Sequence, residues 1–316
     1  MGQDTKHSKA IYGHLMVLGT ILIYSFNTNF MKHVMPEWIG PYGLTLARCL
    51  ACVIGFSIIC LFLPKNVRTA VKGKDRWMLM LGGLIGMAGN MFFYILGISK
   101  TGPVDAFVIR VCQPIMVMAL SILFLHQQLT WNKVVGICLG IGGTIYITSV
   151  SHTGASDDSL LGDILVFTSS FMYAIYLILI KPYTIRFNSF VVLKWMSIAA
   201  TIVIFPIGIN ELIHAKAWAE PFHYEIWSEI AFTLIASTMI ANLLTVNALK
   251  YIPPFVDSVY IYLLPITGTI VSIKMGLQQF SWHDVLAFVL ILSGFVLVNI
   301  SKESRILHPR FPQHLH

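Results

Sequence analysis

The stretch PVDAFVIRVCQPIMVMALSILFL, residues 103–125, is long enough to cross a membrane as one helix, and Arg110 lies in its interior. About 20 predominantly apolar residues span the ~30 Å hydrocarbon core of a bilayer. The guanidinium of Arg110 stays charged at physiological pH, and placing it in a membrane helix costs about 2.5–3.5 kcal/mol. A protein partner, water or a ligand must therefore stabilise this side chain.

The rest of the chain has the same apolar character. Of its 316 residues 56% are hydrophobic and 11% are charged, and the mean hydropathy is +0.76. Such a composition does not form one soluble core beneath a charged surface. Ten apolar stretches of sufficient length begin near Ile11, Tyr42, Trp77, Pro103, Trp131, Leu160, Ser189, Trp227, Pro254 and Trp282. The sequence predicts an all-α integral membrane protein with ten transmembrane helices.

The distribution of basic residues predicts how these spans are oriented. The net charge of +7 would suggest nucleic acid binding in a soluble protein, but in a membrane protein Lys and Arg mark the cytoplasmic side. With the N-terminus inside, the inner segments carry Lys6, Lys9, Lys65, Arg68, Lys72, Lys74, Arg76, Lys133, Lys181, Arg186, Lys250, Lys302, Arg305 and Arg310, and the outer ones carry Lys32, Lys100, Lys216 and Lys274. We therefore expect both termini in the cytoplasm, a bacterial inner (plasma) membrane as the location, and no nucleic acid partner.

The five cysteines do not indicate a redox or metal site. Cys49, Cys52, Cys60, Cys112 and Cys138 all lie inside predicted spans, where thiols behave as small apolar side chains. We expect no disulfide, no metal and no cofactor.

The two halves of the chain repeat each other. Gly13, Tyr24 and Lys32 recur as Gly162, Tyr173 and Lys181 at an offset of 149, and Lys100 recurs as Lys250 at an offset of 150. At an offset of 151, Pro114, Gln127, Gln128, Trp131 and Gly143 recur as Pro265, Gln278, Gln279, Trp282 and Gly294. The expected organisation is a cytoplasmic segment 1–10, a first five-helix repeat 11–150, an extracytoplasmic connection 151–160, a second repeat 161–301 and a cytoplasmic tail 302–316.

An odd number of spans in each repeat means that the second copy enters the membrane in the opposite sense from the first. Inverted repeats are typical of secondary transporters, in which the substrate site lies near the bilayer midplane and one part of the protein rocks against the other. The pattern predicts a transporter without identifying its substrate.

These residues resemble the drug/metabolite transporter superfamily, and specifically its EamA-type ten-span members. The likeness rests on the twin repeats, the early Gly and Tyr with Lys at the span end, Arg48 in span two, the Ala248 to Lys250 run, and the central Pro114 and Pro265. Members commonly carry Gly-Glu in the turn after each proline, whereas this chain has His126-Gln127-Gln128 and Leu277-Gln278-Gln279. The resemblance implies transport of small metabolites, often exported amino acids, through a cavity lined by spans one to four and six to nine.

Polar residues at helical spacing predict which faces line that cavity. The stripes comprise Thr20, Tyr24, Asn27 and Thr28 in span one, Asn90 and Tyr94 in span three, Ser169, Tyr173 and Tyr176 in span six, Asn242 and Thr245 in span eight, and Ser258 and Tyr262 in span nine. A single polar residue of this kind usually forms only a hydrogen bond between two helices, which is worth about 0.6 kcal/mol. The coincidence of several stripes favours a shared binding site.

Arg48 and Arg110 each lie about seven residues from the outer end of a span, which is ~10 Å deep at 1.5 Å per residue. We expect at least one of them to bind a carboxylate or similar anion of the substrate, with Gln113 nearby in the site. The alternative is that both reach the outer interface or bind loop carbonyls.

Prolines and acids near the predicted path suggest where the protein moves. Pro114 and Pro265 leave the carbonyls of Arg110 and Ile261 without helical partners, so they predict kinks that face the cavity, or else packed structural kinks. Asp105 and Asp257 lie near the ends of spans four and nine and could serve a gate or carry a proton. The absence of a deeper acid favours facilitated diffusion or exchange.

The sequence therefore predicts a carrier of a small, anion-bearing organic solute, with an amino acid as the most natural candidate and export as the expected direction. A nucleoside, a dipeptide or a drug-like cation stays open, as does a solute channel. The absence of H-E-x-x-H, G-x-S-x-G and paired deep carboxylates disfavours an integral membrane enzyme. Two G-x-x-x-G motifs, Gly82/Gly86 and Gly136/Gly140, predict internal helix packing or a dimer seam, so the protein is expected to be a monomer or a homodimer.

Overall fold

The computed structural model describes residues 2–101, 106, 109–110, 112–125, 130–150, 159–274 and 282–300. Within these ranges the chain is helical and contains no β-strand. The long helices are α1 (Gly2–Val34), α2 (Pro41–Leu61), α3 (Gly73–Lys100), α4 (Gln113–Leu125), α5 (Trp131–Val150), α6 (Ser159–Arg186), α7 (Ser189–Ile213), α8 (Tyr224–Ala248), α9 (residues 254–274) and α10 (Trp282–Ile300). Short helices, Lys65–Arg68 and Lys216–Ala219, lie in the connections.

Six helical segments of the described chain are long and apolar enough to cross a membrane. They are Ala10–Met31, Pro41–Leu61, Gly73–Lys100, Leu160–Arg186, Ser189–Ile213 and Tyr224–Ala248, and Gln113–Leu125 and Phe288–Val298 are shorter apolar helices. Large apolar side chains such as Ile54, Phe167, Ile202 and Ile235 are exposed on the outside of the bundle. A protein in water would bury most of these groups, so this surface fits a lipid environment.

Three long helices change their pitch in the middle. α3 contains a π-helical segment, Leu84–Gly89, and α8 contains a longer one, Phe232–Ile240. α9 consists of Pro254–Val259, a 3-10 turn Tyr260–Tyr262, and Leu263–Lys274. Pro265 has no N–H to donate to the carbonyl of Ile261, which explains why the regular helix is interrupted just before it. π-helical segments occur frequently at functional sites.

Pro114 lies at the start of a helix and not in the middle of one. It is the second residue of α4, and the preceding Cys112 is in a turn whose N–H donates to the carbonyl of Ile109 at 3.1 Å. The first turn of a helix tolerates proline because its N–H would lack an intrahelical partner there anyway. Among the described residues, the interruption of regular helix is therefore at Cys112, before Pro114.

The helices pack in pairs. α2 packs along α7 and α5 along α10, while α1 packs on α8 and α9, and α6 packs on α3 and α4. Glycines allow the closest approaches: a Cβ on Gly97 of α3 would lie 3.0 Å from the carbonyl oxygen of Gly162 in α6, and a Cβ on Gly136 would lie 2.7 Å from that of Gly294. The Gly136/Gly140 motif thus packs inside the molecule, against α10 and Tyr262. All five cysteines are free thiols.

Candidate functional site

Two adjoining cavities lie among the helices that carry the predicted polar stripes. The larger has a volume of about 50 Å³ and is lined by Tyr24, Asn27, Thr28, Met31, Arg48, Gly86, Asn90, Met91, Tyr94, Arg110, Tyr173, Tyr176 and Asn242. The smaller has a volume of about 20 Å³ and is lined by Val17, Thr20, Ile21, Tyr24, Arg110, Gln113, Tyr173, Thr245, Asp257 and Ile261. Both share Tyr24, Arg110 and Tyr173 in their walls, so we treat them together as the candidate site.

Arg48 is buried in the wall of the larger cavity, with only 5% of its surface exposed. It lies two turns into α2 and reaches α8, where its Nε donates to Thr238 Oγ1 at 2.7 Å and its second terminal nitrogen to Ser237 Oγ at 3.4 Å. Its other terminal nitrogen lies 3.5 Å from the sulfur of Met31. These partners are neutral, and Arg48 has no ion pair with any acid in the described ranges.

The π-helical segment of α8 positions the two hydroxyls that hold Arg48. Thr238 Oγ1 donates to the carbonyl of Thr233 at 2.7 Å, five residues earlier, and so presents its lone pairs to the guanidinium. The carbonyl of Thr238 in turn accepts a bond of 2.7 Å from the amide of Asn242, which lines the same cavity. The π-helical segment therefore positions both the Arg48 guanidinium and the side-chain amide of Asn242 in the cavity wall.

Arg110 lies between the two cavities and is partly exposed to both. Its guanidinium carbon lies 4.6 Å from the centre of the Tyr94 ring, which is a cation–π geometry. Within the described part of the chain it forms no salt bridge. Both arginines thus offer positive charge to the site, and neither forms a salt bridge with a carboxylate of the described residues, although Asp257 lines the smaller cavity together with Arg110.

Asn90 is held in place from α6. Its amide nitrogen donates at 3.0 Å to both the carbonyl and the hydroxyl of Ser169. Asn90 lines the larger cavity, and Ser169 lies behind it without lining either one. Asn90 and Ser169, which were both predicted to line the cavity, are therefore in contact, but of the two Asn90 alone lines it.

Several buried polar atoms of the cavity walls lack a hydrogen-bond partner among the described residues. They are Asn27 Oδ1 and Tyr176 Oη in the larger cavity, and Gln113 Oε1 and Asp257 Oδ1 in the smaller one. Buried polar groups in proteins are nearly always satisfied by protein, water or ligand. These four atoms therefore mark where a polar solute or water is expected to bind.

Asp257 lies deeper in the protein than its sequence position suggests. It is four residues from the start of α9, yet it is 5% exposed and lines the smaller cavity beside Arg110 and Gln113. α9 begins at a buried proline, Pro254, so even its first turn is covered by neighbouring helices. Asp257 lies near the end of its helix, as expected, but neighbouring helices bury it.

Twelve of the fifteen predicted binding residues line the cavities: Tyr24, Asn27, Thr28, Arg48, Asn90, Tyr94, Arg110, Gln113, Tyr173, Tyr176, Asn242 and Thr245. Ser258 and Tyr262 do not. The hydroxyl of Ser258 donates to the carbonyl of Phe255 at 2.7 Å, and the Tyr262 ring packs on Gly140. Asp105 and the side chain of Pro265 lie outside the described residues.

The site also contains apolar residues that the sequence did not single out, namely Val17, Ile21, Met31, Met91 and Ile261. In a span that is apolar throughout, nothing distinguishes such a residue from one that faces lipid. Ser237 and Thr238, the partners of Arg48, were missed as well, although two adjacent hydroxyls in an apolar run were a usable signal.

Polar contacts connect the helices at the two ends of the cavities. At one end, Lys181 of α6 donates to the carbonyls of Leu249 and Ile252, the latter at 2.9 Å, just beyond the end of α8. At the other end His33 of α1 contacts Glu229 of α8 at 2.8 Å. These contacts link neighbouring helices near the ends of the bundle.

A surface ion pair stabilises the connections near the His33 end. The ammonium of Lys216 donates to Glu37 Oε1 at 2.9 Å, and this hydrogen bond lowers the pKa of Glu37 and raises the pKa of Lys216. Both side chains are well exposed, so the pair does not belong to the cavity.

Comparison with known proteins identifies the family. The model of the EamA-like transporter family matches residues 11–149 and 160–300. The chain is 22% identical over 289 residues to YyaM, an uncharacterized transporter of Bacillus subtilis, covering 89% of this chain and 91% of that one. A WAT1-related protein of Arabidopsis thaliana is 22% identical over 312 residues, with 88% and 83% covered.

A solved crystal structure has the same fold. It superposes with a TM-score of 0.71 at 18% identity and covers 90% of this chain and 96% of its own. At this identity the likeness establishes the fold alone. The two family matches together span nearly the whole sequence, and the helices that they cover form an apolar bundle with polar cavities inside. The chain belongs to the EamA-like transporter family of the drug/metabolite transporter superfamily and is an integral membrane transporter.

Proposed function

We propose that this transporter carries a small organic metabolite that bears a carboxylate or similar anion, and that it exports this solute by alternating access. An amino acid is the first candidate. The observation that carries the proposal is Arg48, a buried guanidinium in the cavity wall whose described partners are all neutral.

The hydrogen bonds of Arg48 leave room for an anion. A guanidinium has five N–H donors, and the contacts to Thr238, Ser237 and Met31 use three of them. Two donors have no partner within the described part of the chain. Two parallel N–H groups are what a bidentate contact to a carboxylate requires, and a buried charge is stable only when it is paired or well hydrogen-bonded. A substrate anion would supply the missing charge.

The remaining walls of the larger cavity suit an amphiphilic solute. Tyr24, Tyr94 and Tyr176 offer aromatic faces to an apolar portion. The unsatisfied Oδ1 of Asn27 is an acceptor, and it suits an N–H donor of the solute, such as an ammonium group. An amino acid combines all three features: an anionic group, a donor and an apolar side chain.

Alternating access is supported by the packing of the helices. α1 packs on α8 and α9, and α6 packs on α3 and α4. If helices α1 to α5 correspond to α6 to α10 in order, these two sets of contacts are equivalent. Such matched contacts are expected if repeats 11–150 and 161–301 are inverted copies that rock about a shared site. The basic residues of the inner segments place both termini in the cytoplasm of a bacterial plasma membrane in this proposal.

The test is a thermal-shift screen of the purified protein against the common amino acids and organic acids. A compound that binds only the folded form raises its stability, by about 2.7 kcal/mol at a hundredfold excess over Kd. We expect carboxylate-bearing compounds to raise the midpoint, Arg48→Gln to weaken the shift by roughly tenfold or more in affinity, and Arg76→Gln to leave it unchanged. Arg76 is the matched control because it stacks on Trp195, 4.4 Å from the ring centre, outside both cavities.

Arg110→Gln provides a second variant in case the loss of Arg48 prevents folding, since Arg110 is only partly buried. Anion recognition would be refuted if only cationic compounds raised the melting temperature. It would also be refuted if carboxylate-bearing compounds raised it equally in the wild type, Arg48→Gln and Arg110→Gln.

A further inference from the structure

The smaller cavity contains a buried carboxylate that anion recognition does not explain. Asp257 accepts a hydrogen bond from the Tyr173 hydroxyl at 3.4 Å through Oδ2, and its Oδ1 has no hydrogen-bond partner in the described ranges. It forms no salt bridge with any described residue. We propose that Asp257 binds and releases a proton in each transport cycle, so that substrate movement is coupled to the proton gradient.

The burial of this group makes its charge depend on the hydration of the cavity. An ionised carboxylate is stable in contact with water, whereas a neutral carboxylic acid is far better tolerated in a dry cavity. Alternating access exposes a central site to water on one side, closes it, and then exposes it on the other side. Asp257 is therefore expected to take up a proton before closure and to release it after reopening.

The groups that face Asp257 include no salt-bridge partner in the described ranges. From α6 come the Tyr173 hydroxyl and the ammonium of Lys181, which acts on Asp257 electrostatically without forming a salt bridge to it. Lys181 donates instead to the carbonyls of Leu249 and Ile252.

Neighbouring helices contribute the other charged and titratable groups. Arg110, Gln113 of α4 and Tyr24 of α1 line the same cavity as Asp257. α5 brings Lys133, whose ammonium lies 5.4 Å from the centre of the Phe255 ring. The described side chains of α10 include no titratable group.

A second pair of titratable groups, His14 and Tyr260, lies near Asp257 without lining either cavity, and in this proposal it leads to one side of the membrane. Tyr260 follows Asp257 by three residues, about one helical turn, and its hydroxyl lies 2.7 Å from Nδ1 of His14, the thirteenth residue of α1. In the proposed orientation His14 is near the cytoplasm. A hydronium ion transfers its proton to Asp257, directly or through this pair, leaving water and a new O–H bond. After the carrier has turned, Asp257 returns the proton to water on the opposite side.

The first test does not depend on a substrate. Infrared difference spectra of the purified protein in lipid, recorded from about pH 5 to about pH 8, follow the C=O stretch of protonated carboxylic acids. We expect a titrating band in the wild type, its absence in Asp257→Asn, and its displacement in Asp257→Glu, which keeps the acid. Asp163→Asn is the matched control: this carboxylate accepts a bond of 2.7 Å from Thr101 and lies outside both cavities.

A band that is absent from the wild type, or unchanged in both Asp257 variants, would overturn the proposal. Displacement in Asp257→Glu supports it even if Asp257→Asn does not fold.

The second test measures coupling, which rests on the transport function proposed above. Proteoliposomes loaded with a mixture of radiolabelled neutral amino acids are diluted into buffer with or without an imposed pH gradient. We expect the gradient to change the wild-type efflux rate severalfold and to have no effect on exchange by Asp257→Asn. Efflux that ignores the gradient in the wild type refutes coupling and leaves the carrier function intact. If no amino acid is transported, the substrate assignment fails, while the infrared titration still decides whether Asp257 is a proton site.

Discussion

The guanidinium Nε of Arg48 and the hydroxyl Oγ1 of Thr238 are joined by a hydrogen bond of 2.7 Å, although the two residues are 190 positions apart. This bond connects a regular helix, α2, to the π-helical segment of α8, and it fixes the direction in which the guanidinium faces the larger cavity. The π-helical segment of α8 therefore helps to hold the charge of Arg48 in the wall of the candidate site.

Replacing Thr238 with Val should remove this anchor while keeping the shape of the side chain. Because the substitution leaves a buried charged donor without its partner, we expect a loss of about 1–3 kcal/mol in unfolding free energy and weaker binding of any carboxylate found in the thermal-shift screen. Thr168→Val is the control, since the Thr168 hydroxyl donates to the carbonyl of Ile164 in its own helix and, among the described residues, to no other helix. Equal midpoints for the two variants would contradict a special role for the contact between Arg48 and Thr238.

Replacing Gly136 with Ala should separate α5 from α10. The new methyl group would lie 2.7 Å from the carbonyl oxygen of Gly294, so the backbones must move apart, at a cost of typically 1–3 kcal/mol. Gly142→Ala is a control in the same helix, because a Cβ at Gly142 meets no described atom within 4 Å and alanine favours helix by up to ~1 kcal/mol. Thermal unfolding in detergent should give opposite signs for the two substitutions, and a stabilised Gly136→Ala protein would show that the helices are not in this contact.

The ion pair between Lys216 and Glu37 should stabilise the connections only within a window of pH. The pKa of Glu37 is lowered by the pair, so its contribution is present above the unfolded-state pKa of glutamate and is lost as the pH falls through the lower folded-state pKa. The pKa of Lys216 is raised, so its contribution is present below the unfolded-state pKa of lysine and is lost as the pH rises through the higher folded-state pKa.

We therefore expect the difference in melting temperature between the wild type and Glu37→Gln to be small, largest near neutral pH, and smaller at both extremes. High salt should reduce it further, because exposed ion pairs are screened. A difference that is independent of both pH and salt would point to a packing effect of the substitution.

A carrier and a channel of this fold differ in their kinetics. Alternating access predicts that efflux from proteoliposomes saturates with substrate concentration and speeds up when unlabelled substrate is present on the opposite side. A pore predicts flux that grows linearly with the gradient and a measurable conductance in planar bilayers. Linear flux together with conductance would replace the carrier mechanism with a channel and leave the family assignment unchanged.

The positions of the cavity residues on regular helices could be predicted from the sequence. Tyr24, Asn27 and Thr28 share one face of α1 at spacings of three and four, and the structure places all three in the cavity wall. Arg48 and Arg110 could be found in the same way, because a charge within an apolar span requires a partner. Residue spacing was not sufficient everywhere on regular helix, since Ser169 of α6 and Ser258 in the first segment of α9 line neither cavity.

Some of the errors fall where the helical pitch changes. A 3-10 turn has three residues per turn and a π-helix has more than an α-helix, so either one alters the face on which its own residues lie. Tyr262 lies in the 3-10 turn of α9 and packs against Gly140 instead of the cavity. Ser237 and Thr238 lie in the π-helical segment of α8, which brings both to Arg48. The sequence contains no simple signal for these local changes of pitch.

The contact between Gly97 and Gly162 limits the movements that α3 and α6 can make. A Cβ at either glycine would come within 3.0 Å of the other's carbonyl oxygen, and the side chains of Val166 and Thr101 pack on the two positions. A larger residue at either glycine would therefore force α3 and α6 apart, so any relative motion of the two halves that keeps this crossing must preserve its close backbone approach.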